Sequence, residues 1–385
     1  MGAMAPANPF VYGEIVPPDA FLDRESERAQ LAQDLLDGQK VFLVAPRRYG
    51  KSSLIAVVFQ DLEGGRACTL SLTVTRYATY RGFLEGFAEA CLKRADLGTR
   101  LRDFVRSVFS VRPQLSYSTG PGGTPEVDLR FEVSRSTRDE HRLAQEVFAL
   151  PGALAERTGR PWAIALDEFQ KVSDFDGTTV EDALRAAVQT QRRVGYVFAG
   201  SEPSLMARLL RPRRPFYKAG PLLALEKIPA PLFVQAIVER FASTRITIAE
   251  ATAADLVERA RDVPYDVQRF AHELWDDAVR HRLRRVDGAT LDATITRLLS
   301  AQRPLLEGAW QRLTLAKRAV LRAVAHEDGR GLLAATVRER YGLGPKSSVQ
   351  RALAGLTADD WLTREGDRYV FVDSLYREYV LRETR

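Results

Sequence analysis

Hydrophobic residues in the first 225 positions alternate between two patterns. Short continuous apolar runs at 41–44, 162–166 and 196–200 are each bounded by turn residues, as in strands buried on both faces of a parallel sheet. Residues 67–74 alternate apolar and polar, which predicts a further strand, and 222–225 form another short apolar run. Between these lie stretches with apolar residues at helical spacing. They include Ala29, Leu31, Ala32, Leu35 and Leu36 in a helix that Asp23 opens; residues 54–59; and Phe83, Phe87 and Cys91. Residues 101–109, 143–156 (with a kink at Pro151), 181–191 and 203–210 continue the series. Strands alternating with helices predict an α/β layer built on a parallel sheet. Two alternating segments around Thr-Gly-Pro-Gly-Gly-Thr-Pro, within about 112–135, predict a hairpin decorating that sheet.

After Pro229 the pattern changes to helices only, up to about residue 301. Ala253, Leu256, Val257 and Ala260 share one helical face, as do Val267, Phe270, Ala271, Leu274, Trp275 and Ala278. Residues 302–385 form a third unit. Helices over 314–325, 334–341 and 346–356 precede two short strands, 361–363 and 369–372, that pair across Glu365-Gly366-Asp367-Arg368, and Asp373 caps a last helix. Three helices followed by a hairpin describe a winged helix-turn-helix. The expected partition is an extended arm over 1–20, a core over 21–227, a helical segment over 228–301 and a winged helix over 302–385.

Composition narrows the class. The chain has 385 residues, 45% hydrophobic and 28% charged, which is enough material for several packed domains. No apolar run nears the ~18 residues that span a bilayer, and no signal peptide is visible, so the expectation is a cytoplasmic protein without a membrane partner. Cys68 and Cys91 are too few for a disulfide framework, and both sit among apolar neighbours. The four histidines have no metal-ligand spacing. A net charge of +6 is compatible with an anionic partner without requiring one.

The chemistry concentrates at 40–53, Lys-Val-Phe-Leu-Val-Ala-Pro-Arg-Arg-Tyr-Gly-Lys-Ser-Ser. A strand, a turn, Gly50-Lys51-Ser52 and a helix, in that order, make a phosphate-binding loop in which loop N–H groups and the helix N-terminus converge on one anion. Pro46, Arg47, Arg48, Tyr49, Gly50 and Ser53 would line it; Lys51 would reach the β- and γ-phosphates, and Ser52 would ligate Mg²⁺. Ala45 stands where the motif begins with glycine, and a plain strand-to-helix turn is the competing reading.

A second buried strand ends in Asp167-Glu168. Asp167 is placed to hold Mg²⁺ and Glu168 to accept a proton from an attacking water; the alternative is an ordinary helix cap with a first-turn acid. Ser201, after the next strand, could contact the γ-phosphate or simply cap a helix. In the loop beyond it, Arg211, Arg213, Arg214 and Lys218 are candidates for a charge-stabilising finger, or form a solvated basic loop.

These residues resemble the archaeal-type ATPases of the STAND branch of the AAA+ superfamily. The likeness runs through Phe21-Leu22-Asp23-Arg24-Glu25, the stretch Ala45 to Ser53 (Walker A) and Leu166-Asp167-Glu168-Phe169-Gln170 (Walker B). It continues through Ala199-Gly200-Ser201 (sensor 1), Arg214-Pro215-Phe216-Tyr217-Lys218, Asp262-Val263-Pro264 and the C-terminal unit. The resemblance implies a five-stranded parallel core, a helical lid whose Pro264 approaches the nucleotide, ATP or ADP with Mg²⁺, and Arg214 or Lys218 as the finger. Relatives usually carry glycine at positions 45, 23 and 262 and often arginine at 218.

The expected function is a slow, nucleotide-controlled ATPase switch acting on a partner protein or on further copies of itself. The rivals are an origin-recognition or transposition-helper type that acts on duplex DNA, and a nucleotide-loaded scaffold with negligible hydrolysis. The DNA footprint expected of the winged helix is thin. It consists of Lys346, Ser347, Gln350 and Arg351 on the third helix and Arg364 and Arg368 on the wing, and residues 305–385 hold 14 basic and 11 acidic residues.

Overall fold

The computed structural model describes residues 7–95, 101–110, 113–119, 125–131, 137–176 and 178–383. The chain divides into two compact units: Ile15–Glu226, and the segment ending at Glu14 together with the chain from Lys227 onward.

The Ile15–Glu226 unit begins with α1 (Glu25–Leu36), β1 (Lys40–Val44), α2 (Lys51–Glu63) and β2 (Cys68–Thr73). Helices α3 (Tyr80–Ala95) and α4 (Leu101–Val108) lead to β3 (Pro113–Thr119) and β4 (Pro125–Phe131). It continues through α5 (Thr137–Thr158), β5 (Trp162–Asp167), α6 (Ser173–Asp176), α7 (Thr178–Thr190), β6 (Val194–Gly200), α8 (Pro203–Leu209) and β7 (Leu222–Ala224). Five strands make one sheet in the order β2-β5-β6-β1-β7, all parallel. The continuous apolar runs are the central strands: every residue of β6 is buried, and in β5 only Asp167 is partly exposed. Phe42 of β1, Tyr196 and Phe198 of β6, and Phe169 and Phe216 from the loops form an aromatic cluster with ring centroids 4.5–5.8 Å apart.

Three features differ from the sequence-based expectations. The hairpin β3–β4 forms its own two-stranded antiparallel sheet rather than extending the main one, and its turn, residues 120–124, lies outside the described residues. Helix α5 begins at Thr137, earlier than the expected start at 143, and has Pro151 inside it. Asp23 does not cap α1; Arg24 occupies the cap position with φ 73° and makes no side-chain cap bond.

The other unit contains α9 (Ala230–Ser243), β8 (Thr247–Ile248), α10 (Glu250–Arg259), α11 (Pro264–Arg280), β9 (Arg285–Val286) and α12 (Gly288–Gln311). Strands β8 and β9 pair in parallel, so the segment is not purely helical; at two residues each they are too short to show a period. The segment before Glu14 docks on α11. Asn8 donates to Asp276 at 2.8 Å, the Tyr12 hydroxyl donates to Glu273 at 2.7 Å, and Phe10 is buried against Phe241. Burial and the Glu273 carboxylate push the Tyr12 phenol up to about 12.

Helices α13 (Leu315–His326), α14 (Ala335–Tyr341) and α15 (Lys346–Ala358), strands β10 (Leu362–Glu365) and β11 (Arg368–Phe371), and α16 (Ser374–Glu383) complete the chain. Val320, Leu321, Val324, Val349, Leu353, Leu356, Leu362 and Phe371 are its buried core. Thr314 caps α13 by accepting from the Lys317 N–H, and the Asp373 carboxylate accepts from the Leu375 N–H at 2.9 Å. Among the described residues no helix is long and apolar enough to cross a membrane.

Candidate functional site

Sheet register assembles the site. Val44 lies beside Gly200, and Leu166 beside Phe198, so β1, β6 and β5 present their C-terminal ends along one edge with β6 in the middle. Ligands of open parallel sheets bind outside that edge. There the chain sets the loop after β1, the acids after β5 and Ser201 after β6.

The turn from β1 into α2 depends on Gly50, which has φ 83° and open space where a Cβ would point. It brings Lys51 to the first position of α2, where the side chain is almost fully buried. Lys51 Nζ lies 2.5 Å from Asp167 Oδ1 and 3.8 Å from Glu168 Oε1. The Ser52 hydroxyl donates to Asp167 Oδ2 at 2.9 Å. Ser53 is buried, and its hydroxyl accepts from the Val16 N–H at 3.1 Å. Tyr49 is buried and Arg47 exposed, with Arg47 Nη2 4.0 Å from Glu202 Oε1. Arg48, like Gly50, takes a positive φ, of 71°.

Glu168 also lies in the left-handed region, at φ 56°. Its Oε2 accepts from the Ser201 hydroxyl at 2.7 Å and from Gln170 Nε2 at 2.5 Å, which turns Oε1 toward Lys51. The five predicted residues Lys51, Ser52, Asp167, Glu168 and Ser201 therefore form one connected network. Gln170, 2% exposed, was not assigned a role from sequence, although it lies only two residues past Glu168. Glu202, which also approaches Lys171 at 3.5 Å, is a second addition.

The donor set suits Mg²⁺. Ser52 Oγ and Asp167 Oδ2 are hard oxygen ligands 2.9 Å apart. Neighbouring corners of an octahedron with bonds of about 2.0–2.1 Å have about that separation. Among the described residues no group of three or more His, Cys, Asp or Glu could hold a metal, so such an ion would draw its remaining ligands from phosphate and water.

The two finger candidates are differently engaged. Arg214 donates to the fully buried Glu181 of α7 and lies 3.4 Å from the Ser173 hydroxyl. Burial pushes the Glu181 carboxyl up, against the lowering effects of Ser173 and Arg214. Lys218 is exposed, with φ 52° and its ammonium over the Tyr217 ring at 5.4 Å. Pro264 is the first residue of α11 and belongs to the other unit.

Residues 305–382 match the family model described as "Probable winged helix domain". This stretch is a winged helix domain. No curated protein sequence matches the chain. Among solved structures, the Walker-type ATPase of Pyrococcus abyssi is similar over 95% of this chain and 97% of its own, with TM-score 0.61 and 16% identity. The Aeropyrum pernix ORC2 protein, solved as ADPNP–ADP complexes, matches over 98% of both chains with TM-score 0.55 and 13% identity. The Aeropyrum pernix ORC1 protein in complex with DNA matches over 96% of this chain and 95% of its own, with TM-score 0.50 and 18% identity. These likenesses show a shared fold: a five-stranded parallel sheet with helices and a C-terminal winged helix.

Proposed function

We propose that this protein is a Mg²⁺-dependent ATPase of the STAND branch, working as a nucleotide-controlled switch whose lid (228–301) and winged helix (302–385) act on a partner or on further copies of the chain. The observation that carries the reading is the network in which Lys51 and Ser52 both meet Asp167 while Glu168 is held by Ser201. A lysine, a hydroxyl and two carboxylates at one sheet edge form the set that phosphoryl transfer uses for positioning and charge stabilisation.

The roles follow from the chemistry of each group. The loop from Pro46 to Ser53 cradles the phosphates of ATP. Lys51 exchanges Asp167 for the β- and γ-phosphate oxygens, and Ser52 and Asp167 hold Mg²⁺. When bound, Mg²⁺ neutralises charge on the phosphate oxygens. Glu168 accepts the proton of the attacking water once Ser201 turns from it to the γ-phosphate. Pro264 is the lid contact. Of the two finger candidates we favour Lys218, because Arg214 would have to abandon a buried carboxylate. The test is ATP turnover together with the nucleotide released from denatured protein. Lys51→Ala should abolish both bound nucleotide and turnover, and turnover unaffected by that change would overturn the reading.

A second reading, an ATPase acting on duplex DNA, draws on one observation: Lys346, Ser347, Gln350 and Arg351 are all exposed on α15. Arg368 adds nothing, since it pairs with Asp328 and Glu365. This reading requires duplex binding that weakens steeply with salt, and that is lost in Arg351→Glu. Absence of binding at low salt would remove it.

A further inference from the structure

The chain passes between the two units at Glu14–Ile15 and at Glu226–Lys227, and both residues of the second peptide are gripped. On the near side, the Leu225 N–H donates to the Val44 carbonyl at 2.9 Å, continuing the pairing of β7 with β1. The Glu226 carbonyl accepts from Arg24 Nη2 at 2.7 Å. On the far side, Lys227 Nζ donates to the Arg261 carbonyl at 2.8 Å and pairs with Glu365 of the wing at 3.0 Å. Arg261 opens the turn that runs through Asp262 to Pro264, and it is itself paired with Asp328.

Arg24 does more than hold Glu226. The same Nη2 lies 3.4 Å from the carbonyl of Tyr49, two residues before Lys51, and Nη1 pairs with Glu27 at 3.1 Å. Its side chain is 4% exposed, and its backbone sits at φ 73°, a strained conformation for arginine that the surrounding bonds must hold in place. A buried guanidinium needs its donors satisfied, and the two N–H groups of one Nη2 reach both carbonyls only while their separation is kept. Any shift of the loop at Tyr49 therefore either breaks a buried charge-assisted hydrogen bond or displaces Glu226 with it.

We propose that Arg24 is a positioning residue that ties the phosphate loop to the Glu226–Lys227 hinge, so that the state of the loop is passed to the chain leading into the lid and wing. The proposal rests on the reading of residues 46–53 as a phosphate site only for the identity of the signal; the mechanical tie is independent of it.

Amide hydrogen exchange on the full-length protein separates the two. Without nucleotide, Arg24→Gln should speed exchange at Tyr49–Lys51 and at Lys227–Ile228 together, by about tenfold, with α15 unchanged. Acceleration at only one of the two segments, or at neither, overturns the tie. If the glutamine variant does not fold, Arg24→Lys is used, since its shorter side chain does not reach both carbonyls at once and should uncouple the segments in the same way. With the non-hydrolysable analogue ADPNP and Mg²⁺, the wild type should gain protection at both segments, and the Arg24 variant only at the loop. Equal hinge protection in both proteins overturns the coupling. If ADPNP does not protect the wild-type loop, the phosphate-site reading fails, and the nucleotide-free comparison still decides the role of Arg24.

Discussion

The Ser201 hydroxyl donates to Glu168 Oε2 at 2.7 Å, from the end of one strand to the end of its neighbour. With Gln170 on the same oxygen, this bond holds the carboxylate proposed to activate water in one orientation while leaving its other oxygen toward Lys51. Glu168→Gln keeps a carbonyl acceptor for Ser201 but cannot take a proton. ATP turnover should fall about 10²- to 10⁴-fold with nucleotide affinity within a few-fold of wild type. Single-turnover kinetics beside equilibrium binding would check this, and a variant that hydrolyses at the wild-type rate would remove Glu168 from the chemistry.

Ala45 replaces the first glycine of the loop motif, yet it lies outside the left-handed region, and its N–H donates to the Gly200 carbonyl at 3.3 Å. A methyl group here costs no backbone strain. Ala45→Gly should therefore leave nucleotide affinity unchanged and lower stability by about 0.4–1 kcal/mol, through the freedom gained by the unfolded chain. Titration calorimetry and chemical denaturation read the two effects separately, and a tighter-binding glycine variant would contradict the geometry.

The sequence was most legible where local pattern and burial coincide. β1 after Lys40, β5 before Asp167 and all of β6 are apolar because both faces are covered, and the C-terminal ends of the three strands lead to the loop before Lys51, to Asp167 and to Ser201. The helices and hairpin of the winged helix domain likewise follow from spacing and from Thr314 and Asp373 at the caps. Side-chain partners distant along the chain were not legible. Nothing local links Arg24 to the carbonyl of Glu226, or Arg214 to Glu181, because those bonds exist only once the sheet has brought the segments together. Likewise, no local pattern distinguishes Asp23 and Asp262, which do take the left-handed conformation that glycine adopts most easily (φ 59° and 57°), from Ala45, which does not.

Arg214 and Glu181 fasten the basic loop after α8 to α7. Glu181 is fully buried, so removing the guanidinium would strand its carboxyl; Arg214→Ala should cost about 3 kcal/mol. The pH dependence follows from the raised Glu181 value. Between the unfolded and folded values the folded state holds the proton more tightly, so this group's contribution makes stability fall as pH rises through that window. Loss of Arg214 should raise the folded value further and extend the fall to higher pH. Denaturation midpoints of the two proteins between pH 4 and 8 would test it; curves that stay parallel would mean that Arg214 does not act on Glu181.

Asp262 combines two costs at the start of the turn to Pro264. Its φ of 57° is unfavourable for any residue with a Cβ, although aspartate tolerates it better than most. Burial also pushes its carboxyl up, opposed by Lys227, Arg261 and Arg368. Glycine removes both costs while adding the entropy of a freer unfolded chain, so Asp262→Gly should stabilise the protein by up to about 1 kcal/mol from the backbone alone. The ionisation cost is absent below the unfolded value, near pH 4, and fully present above the raised folded value. The gain from glycine should therefore be larger at pH 7 than at pH 4. A variant whose advantage is equal at both pH values would place the whole effect in the backbone, and one that is destabilised at pH 7 would mean that the attraction of the three cations outweighs the burial of Asp262.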